Sequence, residues 1–206
     1  MMNIKVLESN DMLMKFRVEG IKTAMASAFR RIMISEVPTM AIETVDFRKN
    51  DSALNDEVVS NRLGYVPLVF PEKNYYVTSQ CPTCKGKGCS NCQVKLTLKK
   101  KGPSMVLSGD LKSADKDVKP VYDNIPIVEL FGDQELQFEA TAQLGTGREH
   151  VKWQGAVVGY KQEAEGNFVF NVESVSGLRV ENVVMRAADV LEDKIKEFQK
   201  SLKKIK

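Results

Sequence analysis

Residues 23–43 read TAMASAFRRIMISEVPTMAIE, and the change of period within them sets the architecture. Met25, Ala28, Phe29, Ile32 and Met33 recur at helical spacing and fall on one side of a helix. Thr23 is placed to cap a helix from Ala24 to about Glu36, and Pro38 stops it. Arg30 and Arg31 are adjacent, hence about 100° apart around the axis, so at most one lies near the edge of the apolar face. Past Pro38, residues Met40 to Phe47 are strand-like, followed by a polar stretch from Arg48 to Ser52.

Outward from this helix the chain is mostly strand. Upstream, Ile4 and Val6, then Leu13, Phe16 and Val18, flank Ser9-Asn10-Asp11 as a hairpin around a polar turn, which Gly20 ends. Downstream, Ala53 to Leu63 has helical spacing at Leu54, Val58 and Arg62, closed by Gly64. Val66 to Phe70 is a short apolar segment, and Tyr75 to Val77 leads into a cysteine loop. Val94, Leu96 and Leu98 alternate after the loop, Val106 to Asp110 reads as a short strand with a turn, and Lys112 to Lys119 reads as a charged loop. Ile125 to Leu130 is short and apolar, and Leu136, Phe138, Ala140 and Ala142 form a period-2 strand. Ala156 to Tyr160 and Phe168 to Val172 give two more strands, the second entered through a Gly166-Asn167 turn.

The chain closes on a long helix from about Val180. Val183, Val184, Ala187, Val190, Leu191, Ile195, Phe198, Leu202 and Ile205 trace one stripe, interrupted by the Lys194 stem. Over roughly seven turns, such a stripe calls for more covering surface than one small domain supplies. The long helices stand at the two ends and the strands between them. This is the pattern of a domain inserted into another, or of a single α+β unit.

The 206 residues allow one large or two modest domains. Hydrophobic content of 43% and charged content of 28% are ordinary for a globular chain, and a net charge of +3 does not argue for nucleic-acid binding. There is no run of about 18 apolar residues and no recognisable signal peptide, so a cytoplasmic protein with no membrane span is expected.

All four cysteines fall in CPTCKGKGCSNC: Cys81, Cys84, Cys89 and Cys92. Two C-x2-C pairs facing each other make a tetrahedral S4 site that suits zinc, and Gly86 and Gly88 permit the tight backbone between them. An iron–sulfur cluster and disulfides compete with this reading, although the compact bacterial ferredoxin spacing is absent. CPTCKGKG also matches one zinc-binding repeat of J-protein chaperones; the other repeats and the His-Pro-Asp tripeptide are missing.

No catalytic constellation is found. Gly145-Thr146-Gly147 lacks the Lys-Ser/Thr pair of a phosphate loop and reads as a turn. His150, the sole histidine, reads as a loop residue, and Arg148 as a partner to an interface or intradomain acid. The lysines of the last helix interleave with Glu192, Asp193 and Glu197, as on a solvated face.

Four stretches carry a resemblance. Ala26 to Glu43, Asp56 to Leu68, Leu144 to His150 with Lys152-Trp153, and Arg186 to Leu191 resemble, in order, the signatures of the D-subunit family of archaeal DNA-directed RNA polymerases. That family is related to the bacterial α subunit and the third-largest eukaryotic subunit. This chain departs from it at Ser27, Phe29 and Asn61, where the family usually shows Asn, Leu and often His. Residues 93–135 hold no cysteine, so the ferredoxin-like domain of some archaeal relatives is expected to be absent.

The resemblance implies an α+β fold in which residues 1–40 and 155–206 form a two-layer dimerisation domain. Residues 41–154 would form a strand-rich inserted domain whose loop 81–92 holds one zinc ion. It further implies a non-catalytic scaffold subunit. The chain would pair with the small subunit L through Phe29, Val184, Ala187, Leu191, Ile195, Phe198 and Leu202, and meet the large catalytic subunits through Arg30 and Arg31. Small accessory subunits would join the assembly, and DNA would be met only indirectly.

Overall fold

The structure is a computed structural model that describes residues 2–204. The chain opens with β1 (Asn3–Ser9), β2 (Leu13–Glu19) and α1 (Thr23–Ser35). It continues through β3 (Thr39–Asn50), α2 (Asp56–Gly64) and β4 (Leu68–Val69). After the cysteine loop come β5 (Gln93–Lys101), β6 (Ser104–Leu107), β7 (Lys112–Ser113), β8 (Lys119–Pro120), β9 (Pro126–Leu130) and β10 (Glu135–Gly145). It closes with β11 (Ala156–Ala164), β12 (Asn167–Ser174) and α3 (Val180–Lys203). Among the described residues no helix is long and apolar enough to cross a membrane.

The chain divides into two compact units, and the fold is α+β. One unit holds the residues up to Pro38 and from Thr146 on; the other is Thr39–Gly145. The chain re-enters the first unit at Thr146, ahead of the expected 155.

In the first unit, four antiparallel strands run in the order β1-β2-β12-β11. Phe16 lies opposite Phe170 in the ladder, and their rings stack at 5.1 Å. Phe29 of α1 meets Phe170 edge-on at 6.1 Å, and Tyr160 lies at 5.5 Å from it. Ala26, Ile32 and Met33 of α1 and Val180, Val183 and Ala187 of α3 complete the core. The β1–β2 turn ties the start of α3 down: Val180 N donates to Asp11 O (3.0 Å), and Arg179 pairs with Asp11 (2.6 Å). At α1 the expected cap needs correction. Thr23 is the first helical residue, Lys22 stands at the cap, and no side chain bonds there.

In the second unit the sheet order is β3-β10-β5-β7, again antiparallel. Leu136, Phe138, Ala140 and Ala142 of β10 point into the core with Val94, Leu96 and Leu98 of β5. Two small ladders, β4–β8 and β6–β9, flank it. The strand after α1 runs to Asn50, past the expected Phe47, because β10 is long enough to pair it throughout. The charged stretch from Lys112 is not all loop, since β7 and β8 lie within it. The second helix begins at Asp56 and buries Val59 and Leu63, leaving Val58 exposed, so the expected Leu54–Val58 face is one residue out.

Candidate functional site

Two features can engage other groups, one in each unit. In the second unit, a single turn at Thr78–Gln80 delivers Cys81. Lys85 N donates to Cys81 O (3.1 Å), and Cys92 N donates to Cys89 O (3.0 Å), so each C-x2-C closes on itself. Cys81 and Cys92 are buried; Cys84 and Cys89 are half-buried. The backbone between the pairs is left-handed at Lys85, Gly86 and Gly88. At Gly88 a Cβ would stand 2.3 Å from Gln93 Oε1.

The four sulfurs lie within 4.8 Å of one another. Cys84 and Cys92 are 3.6 Å apart, Cys81 and Cys89 3.7 Å, and Cys89 and Cys92 3.8 Å. A tetrahedron of sulfurs around an ion with bonds of ~2.3 Å has edges of ~3.8 Å, so the donor set fits one metal ion. Burial pushes the Cys92 thiol up to about 12. Burial acts the same way at Cys84, but hydrogen bonds from Cys92, Cys81 and the Gly86 and Gly88 backbone outweigh it, and the thiol falls to about 6. A bound metal would have to displace the remaining protons. Around the loop, Tyr76 N donates to Asn91 O (2.9 Å), while Thr78 Oγ1 and Gln93 Nε2 each lie 3.1 Å from Gln143 Oε1.

In the first unit, the core leaves an open apolar groove of about 650 Å³. Its floor is Ile4, Val6, Met14, Phe16 and Val18; its walls are Met25 and Phe29 of α1 and Val184, Met185, Leu191 and Ile195 of α3. Ile4 and Val6 are more than half exposed, although they lie on the strand face that continues the core. Beyond the groove, Phe198 and Leu202 carry the α3 stripe into solvent at 66% and 48% exposure.

Residues 40–159 match the family described as the RNA polymerase Rpb3/RpoA insert domain. The chain belongs to the Rpb3/RpoA family. It is 45% identical over 154 residues to DNA-directed RNA polymerase subunit Rpo3 of Archaeoglobus fulgidus, covering 75% of this chain and 58% of that protein. It is 48% identical over 156 residues to the Rpo3 subunit of Methanothermobacter thermautotrophicus, covering 74% and 58%. Against the Rpo3 subunit of Methanosarcina acetivorans it is 44% identical over 161 residues, covering 78% and 60%. The chain thus spans under two thirds of the length of these Rpb3/RpoA relatives.

Within this Rpb3/RpoA chain the expected interface residues separate. Phe29, Val184, Leu191 and Ile195 line the groove, and Phe198 and Leu202 extend it. Ala187 is fully buried in its own unit, which corrects its assignment to a partner surface. Arg30 is turned toward β11, where its Nε donates to Val158 O (2.9 Å), while Arg31 is exposed. Ile205 lies outside the described residues. Lys194 crosses to Glu36 at the end of α1 (2.5 Å), which explains the break in the α3 stripe.

The Gly145–Gly147 turn has a structural cause. A Cβ on Gly147 would stand 2.7 Å from Ile34 O, and Arg148 N donates to Ser35 O (2.8 Å). His150 Nδ1 accepts from Lys152 N (3.1 Å), which caps a single helical turn. The sequence reading missed Ile4, Val6, Met14 and Met185 as groove residues. Their signal was present as an apolar alternation in β1, the Met14-Phe16-Val18 alternation in β2 and an off-stripe methionine in α3.

Proposed function

We propose that this chain is the D-type scaffold component of an archaeal DNA-directed RNA polymerase, without catalytic residues of its own. The unit carrying the groove is the dimerisation domain, and Thr39–Gly145 is the inserted domain. The observation that carries the reading is the groove in line with the exposed half of α3. Helix and sheet together leave an apolar surface that a small partner subunit of the L type would fill. At about 25 cal/mol per Å² of apolar area buried, covering such a face supplies the driving force for pairing. The pair would then seat the large catalytic subunits, with the exposed Arg31 and Arg148 offering guanidiniums to carboxylates there. DNA is held by those subunits, and the assembly works in the cytoplasm.

The metal in this reading is one zinc ion on Cys81, Cys84, Cys89 and Cys92. Sulfur separations of 3.6–3.8 Å support a single ion over an iron–sulfur cluster, whose own atoms would spread the thiolates further apart. Zinc would stiffen the loop, as structural zinc does in small domains.

Co-expression with candidate small subunits, followed by size and native-mass analysis, tests the reading. A one-to-one complex is expected. A chain that remains a soluble monomer in their presence contradicts it.

A further inference from the structure

The cysteine site does not present its ligands equally. Cys81 and Cys92 are buried, whereas Cys84 and Cys89 are half-buried. Each half-buried sulfur has a buried sulfur of the other C-x2-C pair close by, Cys84 at 3.6 Å from Cys92 and Cys89 at 3.7 Å from Cys81, while within its own pair Cys89 lies 3.8 Å from Cys92. The loop that separates the two pairs is short and held in left-handed backbone at Lys85, Gly86 and Gly88, which keeps the pairs facing each other. A bond of ~2.05 Å between Cys84 and Cys92 requires a closure of only about 1.5 Å from that separation.

We infer that Cys84 is an oxidant-reactive site at which the loop exchanges its metal staple for a disulfide staple joining the two C-x2-C pairs. This rests on the zinc reading above. The oxidant is a hydroperoxide. The Cys84 thiolate attacks the terminal peroxide oxygen, the O–O bond breaks, and the leaving oxygen departs as hydroxide, or alkoxide, and takes up a proton. Cys84 is then a sulfenic acid. The Cys92 thiolate attacks that sulfur, the S–O bond breaks, and a second hydroxide leaves and is protonated. Two thiolates have lost two electrons, the peroxide has gained them, and one disulfide has formed. With two ligands gone, zinc leaves as the divalent ion. Cys81 and Cys89 then take up protons, and a second equivalent of peroxide joins them by the same two displacements, the two thiol protons passing to the two oxygens that leave.

The consequence differs from ordinary oxidative loss of a zinc site. A bond inside either C-x2-C pair would leave the loop open, whereas bonds between the pairs keep it closed. The loop would therefore hold its shape while its metal is absent, and reductant with zinc would restore the first staple.

The full chain, with zinc content measured first by elemental mass spectrometry, is titrated with hydrogen peroxide. Zinc release is followed with a chromogenic chelator, free thiols are then alkylated, and peptides are mapped. Trypsin cleaves after Lys85 and Lys87, so residues 74–85 and 88–95 separate unless a disulfide joins them. The expected result is zinc released with the first equivalent of peroxide, two equivalents consumed per zinc at completion, and a cross-linked pair of these peptides, with Cys84–Cys92 formed before Cys81–Cys89. Zinc retained through excess peroxide overturns the exchange. So do disulfides confined to Cys81–Cys84 and Cys89–Cys92, or sulfinic acid at Cys84 without a disulfide. A chain isolated with no zinc overturns the metal reading, and the exchange falls with it.

Discussion

Arg30 Nε donates to the carbonyl of Val158 at 2.9 Å, joining α1 to the free edge strand β11. The guanidinium of Arg30 thus anchors a backbone carbonyl of this edge strand to the helix. Its neighbour Arg31 is exposed. Two adjacent arginines therefore have different tasks: Arg30 holds the unit together and Arg31 is available to a partner. Arg30→Ala is expected to lower stability by about 1.5–3 kcal/mol, the range for a hydrogen bond to a charged group. Arg31→Ala should change it by less than about 0.5 kcal/mol. Urea denaturation of both variants checks this; equal effects would mean that the Val158 contact carries no weight.

Phe170 is the centre of the aromatic cluster, fully buried between Phe16, Phe29 and Tyr160. Truncating it removes the ring's transfer energy and leaves a cavity that three neighbouring rings cannot fill. Phe170→Ala should cost about 3–5 kcal/mol. Thermal unfolding measures the loss. An effect under about 1 kcal/mol would show that the cluster is not the core of this unit.

Gly88 sits at φ +88 with Gln93 Oε1 only 2.3 Å from where a Cβ would be. Gly88→Ala therefore meets both left-handed strain, about 1–2 kcal/mol, and a clash that displaces Gln93. Weaker metal binding at the four cysteines is expected, seen as faster metal loss to a chelator. Chelation of the wild-type chain should raise amide exchange at Tyr76, Cys92 and Gln93 while β10 stays protected. Exchange unchanged across the loop would mean that the metal does not hold it.

Asp110 combines burial, which opposes its charge, with hydrogen bonds from Leu107 N and Lys100 that favour it, and its pKa lies below the usual carboxylate value. Asp115 is lowered too, first by the Tyr75 hydroxyl at 2.6 Å and then by Asp117 N. Since the folded values are depressed, both carboxylates contribute stability that is complete above the unfolded pKa of about 4. That contribution is lost as pH falls through the depressed values. Asp110→Asn should flatten the fall in stability below about pH 4. An unaltered acid limb in pH-dependent urea midpoints would contradict this.

Local features were legible in the sequence and assembled ones were not. The β10 alternation, the cysteine spacing and the α3 stripe each need only neighbours along the chain, and each appears where its pattern placed it. In α2, Val58 and Val59 are adjacent, so two apolar registers compete, and packing against β3 and β9 decides for Val59 and Leu63. At α1 the presence of Thr23 before an apolar run suggested a cap, but the chain enters the helix one residue earlier. The groove draws on β1, β2, α1 and α3, from opposite ends of the sequence, so no single window displays it. Ala187 lay on the stripe with Leu191 and Ile195, yet each four-residue step in a 3.6-residue helix turns the face by about 40°, so Ala187 faces the core while Leu191 and Ile195 reach the groove.

The groove is the central claim, and Ile195 offers the cleanest probe of it. Its side chain lines the groove and is 52% exposed, so a charge there is solvated in the free chain and buried in a complex. Ile195→Asp and the wild-type chain are compared by sedimentation in the presence of the small partner subunit, with urea midpoints measured in parallel. The account predicts a one-to-one complex for the wild type, at least a hundredfold weaker binding for Ile195→Asp, and midpoints that agree. Equal binding by the two chains would contradict it.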